Sequence, residues 1–396
     1  MKRSAAGPCA ELEALAARAE RRSRRVVESL AAGAGVLEPL VEGRRLVNFC
    51  SNDYLGLAGD ARIVAALQAA AGRWGTGSGA AHLVTGHSAE HHALEQELAQ
   101  FTRRQAALLF STGYMANVGV ITALAARGEV VLQDRLNHAS LLDGARQSDA
   151  RLLRYRHADA GDAARAAAEH AGQFALLATD GVFSMDGDVA PLAGLAATAA
   201  RHQAWLLVDD AHGIGVLGAT GGGSVEAAGL SAAEVPLLVG TLGKACGTFG
   251  AFVAGDRDVI ELILQRARSY IYTTALPPAI AAATRASLAI LREEGWRRER
   301  LARLIALFRA GAAARALPLV ASATAIQPVL VPGAARCLAV SRALLERGFW
   351  VGAIRHPTVP AGAERLRVTL SAGHREQQVE ALLDALAAAL PAADAA

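Results

Sequence analysis

The chain has 396 residues, enough for two or three domains and a sizeable buried core. Its net charge is +3, and the basic residues lie in an amino-terminal run and in scattered helices, not in one aromatic-laced stripe, so no nucleic-acid partner is expected. Apolar residues make up 53 %, much of it alanine, and no uninterrupted apolar stretch reaches the length of a bilayer span, so no membrane partner is expected either.

The opening "MKRSAAGPCAELEALAARAERRSRR" has no apolar segment followed by a small-residue cleavage site, and its glutamates argue against a transit peptide, which makes the cytoplasm the expected compartment. Cys9, Cys50, Cys246 and Cys337 are far apart and form no C-x-x-C pair; reduced thiols are expected. From Cys9 to Leu30 the periodicity is helical with a polar face, and "LEPLVEGRRLVNFCSNDYLGL" reads as a short hairpin followed by an extended segment. This forms an amino-terminal arm over residues 1–45.

Between about residues 60 and 275, short apolar runs such as "QAALLF", "GEVVLQ", "FALLATD", "AWLLVDD", "VPLLVG" and "GAFVAG" alternate with alanine-rich helical windows. That rhythm predicts an α/β large domain, residues 46–285, with a mostly parallel sheet covered by helices on both faces. After "TTALPPAI" the pattern changes to a long helix reaching about residue 315. Two further helices and the runs "TAIQPVLVPG", "WVGAIRHP" and "RLRVTLSAG" then give a small carboxy-terminal α/β domain, residues 286–396.

Ligands of an open parallel sheet sit beyond the carboxyl ends of its strands, so the polar residues after each apolar run carry the most information. After "ALLF", "STGYMAN" opens a helix whose Gly113 and Tyr114 offer backbone N–H groups to a phosphate, or else form a plain helix cap. "GVFSMDGD" places Ser184 in a string that equally suits a turn. "DDAHG" puts Asp209 at a strand end with His212 three residues on; a buried carboxylate there needs a cationic or N–H partner. "TLGK" puts Lys244 just past a buried strand, where a lysine is either salt-bridged or used for its amine.

Two strings mislead. "GIGVLG" at 213–218 has the spacing of a dinucleotide-binding loop, yet "DDAH" separates it from the strand and "ATGGGS" follows where a helix should start. "HSAEHH" offers His87 and His91 at the spacing of a zinc pair, but no third ligand is evident, and an exposed helical face or loop-to-helix packing is the expected reading. No metal is expected.

Taken in order, "NFCSNDYLGL", "STGYMAN", "DRLNHASLLDGAR", "TDGVFSMDGDVAPL", "VDDAHGIGVLG", "TLGKACGTFGAF", "YIYTTALPPA" and "IRHPTVPAGAERLRVTLSAGH" closely resemble the α-oxoamine synthases, from about residue 45 to 390. These are pyridoxal-phosphate acyltransferases of fold type I. The resemblance implies pyridoxal 5'-phosphate as cofactor, carried covalently by Lys244, with Asp209 at its pyridinium nitrogen, His138 on the ring face and His212 near the ring hydroxyl. It implies Gly113, Tyr114, Ser184 and Thr241 at the phosphate, with Thr274 reaching in from the second subunit of a homodimer with shared sites.

Asn52 and Arg355 would bind the amino-acid carboxylate, and His138 would face the same substrate. Thr358 and an amino-terminal arginine, Arg24 in preference to Arg25, would meet the acyl group. The stretch "AIRHPTVPAGAERLRVTLSAGH" points within the family to decarboxylative condensation of L-alanine with a pimeloyl thioester on coenzyme A or an acyl carrier protein. A relative using glycine and another acyl-CoA is the alternative. Two positions depart from the family pattern: His82 stands where many relatives have arginine, and Asp180 where glutamate is usual.

Overall fold

The apolar runs of the middle of the chain become one seven-stranded sheet. Its order is Ala106–Phe110, Ala251–Gly255, Leu237–Thr241, Trp205–Asp209, Phe174–Asp180, Val130–Asp134 and Arg151–Tyr155. Neighbours pair in parallel except Ala251–Gly255, which runs against both strands beside it. Strands covered on both faces have no solvent side, hence their unbroken apolar runs; every residue of Val130–Asp134 and Ala251–Gly255 is buried. Leu108, Val131, Leu176, Leu207, Val239 and Val253 pack with Val120, Ile121 and Leu141 of the covering helices. Each such side chain contributes about 1.5–3 kcal/mol by leaving water.

The structure is a computed structural model that describes residues 7–31 and 35–390. Residues 1–6 and 32–34 of the expected arm, and 391–396 of the expected small domain, lie outside the described residues. By its internal contacts the chain divides into two units. One, residues 57–184 and 188–299, holds the sheet above; the other comprises 1–56, 185–187 and 300–396. The latter contains an antiparallel sheet in the order Ile326–Leu330, Arg365–Thr369, Gly352–Ile354, with the helices Ala334–Glu346 and Glu376–Ala389. Within it Val47–Asn48 pairs in parallel with Phe349–Trp350, Gly35–Val41 and Arg44–Arg45 form the expected hairpin, and Val27–Ala31 adds a third strand that was not expected.

Two elements are shorter than their periodicity suggests. The arm helix, Gly7–Ala17, stops well before Leu30 and Val27–Ala31 is a strand. Ala19 takes a left-handed φ of 55°, and a continued helix would stack Arg21, Arg22, Arg24 and Arg25 at i, i+3 and i, i+4 spacing, like charge on like. The long helix expected to 315 is two, Pro278–Glu293 and Trp296–Ala314. Gly295 is a poor helix former, and the Glu294 carboxylate at the corner accepts from Arg62 and Arg297, each at 2.7 Å.

Candidate active site

The register of the sheet aligns the polar strand ends. Asp180 pairs with Asp209, and Asp209 with Val239, two residues before Thr241. Asp209 is buried; its Oδ2 accepts from Asn117 Nδ2 at 2.5 Å and its Oδ1 from the Ala211 N–H at 3.0 Å. It forms no ion pair among the described residues. Burial, with the Asp209 carboxylate beside it, pushes the Asp180 carboxyl well above its ordinary range; its Oδ2 accepts the His138 N–H at 2.7 Å.

Lys244 lies in the turn after Leu237–Thr241, half-buried, with Nζ 2.8 Å from His212 Nε2. The turn is close-packed: Gly247 has a φ of 67°, and a Cβ there would stand 2.5 Å from the Ala58 nitrogen and the Leu57 carbonyl carbon. Only glycine accepts both conditions. Thr241 Oγ1 donates to the Gly250 carbonyl at 3.1 Å and accepts the Gly243 N–H at 3.4 Å, which fixes the start of the turn.

The helix Gly113–Leu124 starts at the end of Ala106–Phe110, capped by Thr112, whose Oγ1 accepts from the Met115 N–H at 3.2 Å. As the first two helical residues, Gly113 and Tyr114 have no intrahelical acceptor for their N–H groups. Apart from its chain neighbours and its own helix backbone, no atom of the described residues lies within 4 Å of where a Gly113 Cβ would be. Open space, free N–H groups and a positive dipole end suit an anion there. The Tyr114 phenol is exposed and donates to Asp143.

His138 caps the helix Ala139–Gln147, and its Nδ1 accepts the Ser140 N–H at 3.3 Å and lies 2.7 Å from Ser140 Oγ. With Nδ1 accepting, Nε2 is the ring nitrogen that donates, and the ring is exposed. Ser184 is half-buried in a turn, and Thr274 is exposed in the irregular segment before Pro277. The glycines of "GIGVLG" have packing roles instead of a dinucleotide. A Cβ at Gly213 would collide with the Asp210 carboxylate and one at Gly218 with that of Glu226. Asp210 is fully buried and its carboxyl is pushed up to about 7 by that burial.

Apart from His138, the expected substrate residues belong to the other unit. Asn52 Oδ1 accepts from Tyr54 Oη at 3.0 Å and from Arg367 at 3.2 Å. Arg355 donates to the arm, to the carbonyls of Ala19 and, at 2.8 Å, Arg21. Thr358 Oγ1 accepts from Arg22 at 3.1 Å, whereas Arg24 is exposed. A cleft of about 500 Å³ in this unit is lined by Arg21, Arg22, Arg25, Arg342 and Arg355 with Trp350 as its aromatic wall.

Sequence reasoning missed Asn117 and Ser140. Asn117 Nδ2 donates to Ser140 Oγ at 2.9 Å as well as to Asp209, so one amide ties the His138 cap to the strand-end carboxylate. The signal was available: Asn117 is the lone amide in the otherwise apolar helix "GYMANVGVITAL", and a buried amide on such a face needs a polar partner.

A family model for aminotransferase class I and II matches residues 44–386. Among curated relatives, an 8-amino-7-oxononanoate synthase of Methylococcus capsulatus is 58 % identical over 97 % of this chain and 98 % of its own. One from Stutzerimonas stutzeri is 60 % identical over 88 % and 89 %. Among solved structures, a serine palmitoyltransferase variant from S. paucimobilis with a bound PLP-myriocin aldimine superposes with a TM-score of 0.91 at 32 % identity, covering 97 % of this chain and 96 % of that one. An 8-amino-7-oxononanoate synthase from Francisella tularensis superposes with a TM-score of 0.76 at 30 % identity, covering 87 % and 97 %. With a family model over most of its length, relatives near 60 % identity and a fold type I architecture shared with both structures, the chain belongs to the aminotransferase class I and II family and, within it, to the α-oxoamine synthases.

Proposed function

We propose that this chain is a pyridoxal-phosphate-dependent acyltransferase that condenses L-alanine with a pimeloyl thioester, forming 8-amino-7-oxononanoate as the relatives near 60 % identity are named to do. The observation that carries the chemistry is Lys244, its amine 2.8 Å from His212 Nε2, one strand away from the buried Asp209 carboxylate. The donor set fits the cofactor: a buried carboxylate with no ion-pair partner among the described residues suits a protonated ring nitrogen, a helix N-terminus suits a phosphate, and a lysine amine suits an aldehyde. Pyridoxal 5'-phosphate, when bound, supplies an electron sink for the electron pair left at the amino-acid α-carbon.

The chain's own residues do the rest. Asp209, oriented by Asn117 and the Ala211 N–H, holds a proton on the ring nitrogen. Gly113, Tyr114, Ser184 and Thr241 bind the phosphate, joined by Thr274 of a second copy in a homodimer with shared sites. Lys244 Nζ removes the α-proton of L-alanine and later returns one to the same carbon, with His212 Nε2 as its hydrogen-bond partner. Asn52 and Arg355 bind the alanine carboxylate, and His138 faces it through Nε2. Thr358 and an arm arginine hold the acyl chain. The α-carbon forms a bond to the thioester carbonyl as the thiolate leaves, and the carboxylate departs as carbon dioxide. The anionic ends of such a substrate suit the arginine-lined cleft.

The purified protein, loaded with cofactor, is assayed with L-alanine, glycine and L-serine against pimeloyl-CoA and pimeloyl-acyl carrier protein. L-alanine with one of the pimeloyl thioesters is expected to give the highest kcat/KM, with equimolar release of carbon dioxide and thiol. A preference for glycine or serine, or for acetyl-CoA, would overturn the substrate assignment.

A further inference from the structure

The sequence offers His87 and His91 as a metal pair, and the structure replaces that pair with another. Ser88 caps the helix Ala89–Phe101, and the His91 ring completes the capping box. Both His91 nitrogens are thereby occupied, Nδ1 by the Ser88 N–H at 3.0 Å and Nε2 by the Leu276 carbonyl at 2.7 Å. His91 has no lone pair to give.

The same cap brings the residue before it, His87, against the fourth helical residue, His92, the two positions that a hydrophobic staple joins. Their rings lie edge to face with centroids 6.1 Å apart. Glu95, three residues beyond His92, projects from the same face. One ligand atom from each of His87, His92 and Glu95 lies within 4.8 Å of the other two.

Glu95 makes the arrangement informative. Its side chain is 14 % exposed; Oε1 accepts the Leu109 N–H at 3.0 Å, while Oε2 receives no hydrogen bond among the described residues. The nearest basic atom to Oε2 is His87 Nε2, at 3.9 Å, too far for a hydrogen bond. His87 Nδ1 lies 3.0 Å from His82 Nδ1. With the proton of that contact on His87, Nε2 presents a lone pair, and two acceptors then face one another across a gap. His82 is held in turn by stacking on Tyr270, with centroids 5.1 Å apart. A ligand histidine whose other nitrogen donates to a fixed partner is the usual support of a metal site.

We propose that His87 Nε2, the His92 ring and Glu95 Oε2 bind one divalent transition cation of the zinc type, with water completing a tetrahedron. Two imidazoles and a carboxylate suit that ion better than magnesium or calcium. Metal–ligand bonds of about 2.0–2.2 Å bring ligand atoms to roughly 3.3 Å from one another, so His87 Nε2 and Glu95 Oε2 must draw in from 3.9 Å and the exposed His92 ring must turn from its 3.1 Å contact with Gln96 Nε2. The His82 ring beside His87 carries no fixed charge, whereas an arginine at that position would place a permanent positive charge there.

The test uses the tag-free holoenzyme, stripped with a chelator, titrated with Co²⁺ by visible absorption and with Zn²⁺ by calorimetry. One saturable equivalent per chain is expected, with Zn²⁺ displacing Co²⁺. His92→Ala changes an exposed side chain outside the catalytic machinery; it is expected to weaken Zn²⁺ binding about tenfold or more while leaving turnover at the parent level. Glu95→Gln is expected to do the same to binding, and Cys9→Ser to leave it unchanged. Absence of a saturable equivalent, or parent-like affinity in a folded His92→Ala variant, would overturn the proposal.

Discussion

In their proposed roles Lys244 and Asp209 act through different physics, and their replacement should separate. Lys244→Ala would remove both the proposed covalent attachment and the proton-transferring amine, so turnover should fall by about four orders of magnitude or more. The thermal midpoint should stay near the parent's, because the half-buried side chain leaves no core cavity. Persistent turnover near the parent level would count against it. Asp209→Asn keeps the shape and loses the charge, at an expected cost of about 10²–10³ in kcat, read as slowed α-proton exchange from L-alanine. Asn117→Ala acts one step away. It frees the Asp209 oxygen that Asn117 holds at 2.5 Å, and a loss of about tenfold in kcat with little change in KM is expected. Rescue by Asn117→Gln would show that the amide, and not the packing, matters.

At the scale of elements, the arm and the strand-end loops carry the testable differences. Arg22 is the arm arginine that reaches Thr358, at 3.1 Å, so Arg22→Ala should raise the KM for the acyl thioester several-fold more than Arg24→Ala does, with the KM for L-alanine nearly unchanged. Beside the parallel sheet, the His157 ring sits between Asp134 at 3.0 Å and Asp188 at 2.9 Å, and hydrogen bonds to the two carboxylates raise it to about 9. A raised pKa stabilises the fold fully below the unfolded value, about 6.5, and that stabilisation is lost as the pH rises through about 9. His157→Gln should therefore lower the thermal midpoint more at pH 6 than at pH 10; an equal loss at both would contradict the ion pairing.

The strand-end residues were legible because parallel strands deliver their polar residues at one end. The direction of Ala251–Gly255 was not, since a strand buried on both faces reads as the same apolar run whichever way it points. Asn117 was hidden for another reason: its partner is 92 residues away, and no local period records that. The staple of His87 on His92 was hidden in plain view, because the i, i+4 spacing of His87 and His91 drew attention to the wrong ring.

For the molecule as a whole, the exposed Thr274 in its irregular segment is the residue assigned to a neighbouring copy. If sites are shared, mixing inactive Lys244→Ala chains with an inactive Thr274→Trp variant leaves one whole site in each mixed dimer. Activity should recover to about one quarter of the parent level at equal mixing. No recovery after verified subunit exchange would argue for sites built from one chain.

The placement of Ala251–Gly255 between Ala106–Phe110 and Leu237–Thr241 also has a bearing on synthesis. Phe110 finds its sheet partner, Ala251, about 140 residues later in the chain, so the strand whose end launches the helix Gly113–Leu124 emerges from the ribosome with both edges bare. Long-range closure of this kind is slow, and unpaired strands invite association in the interval. A chain cut short before residue 251 should accordingly collect in the insoluble fraction, and the demand for chaperones should end only when those five residues are out.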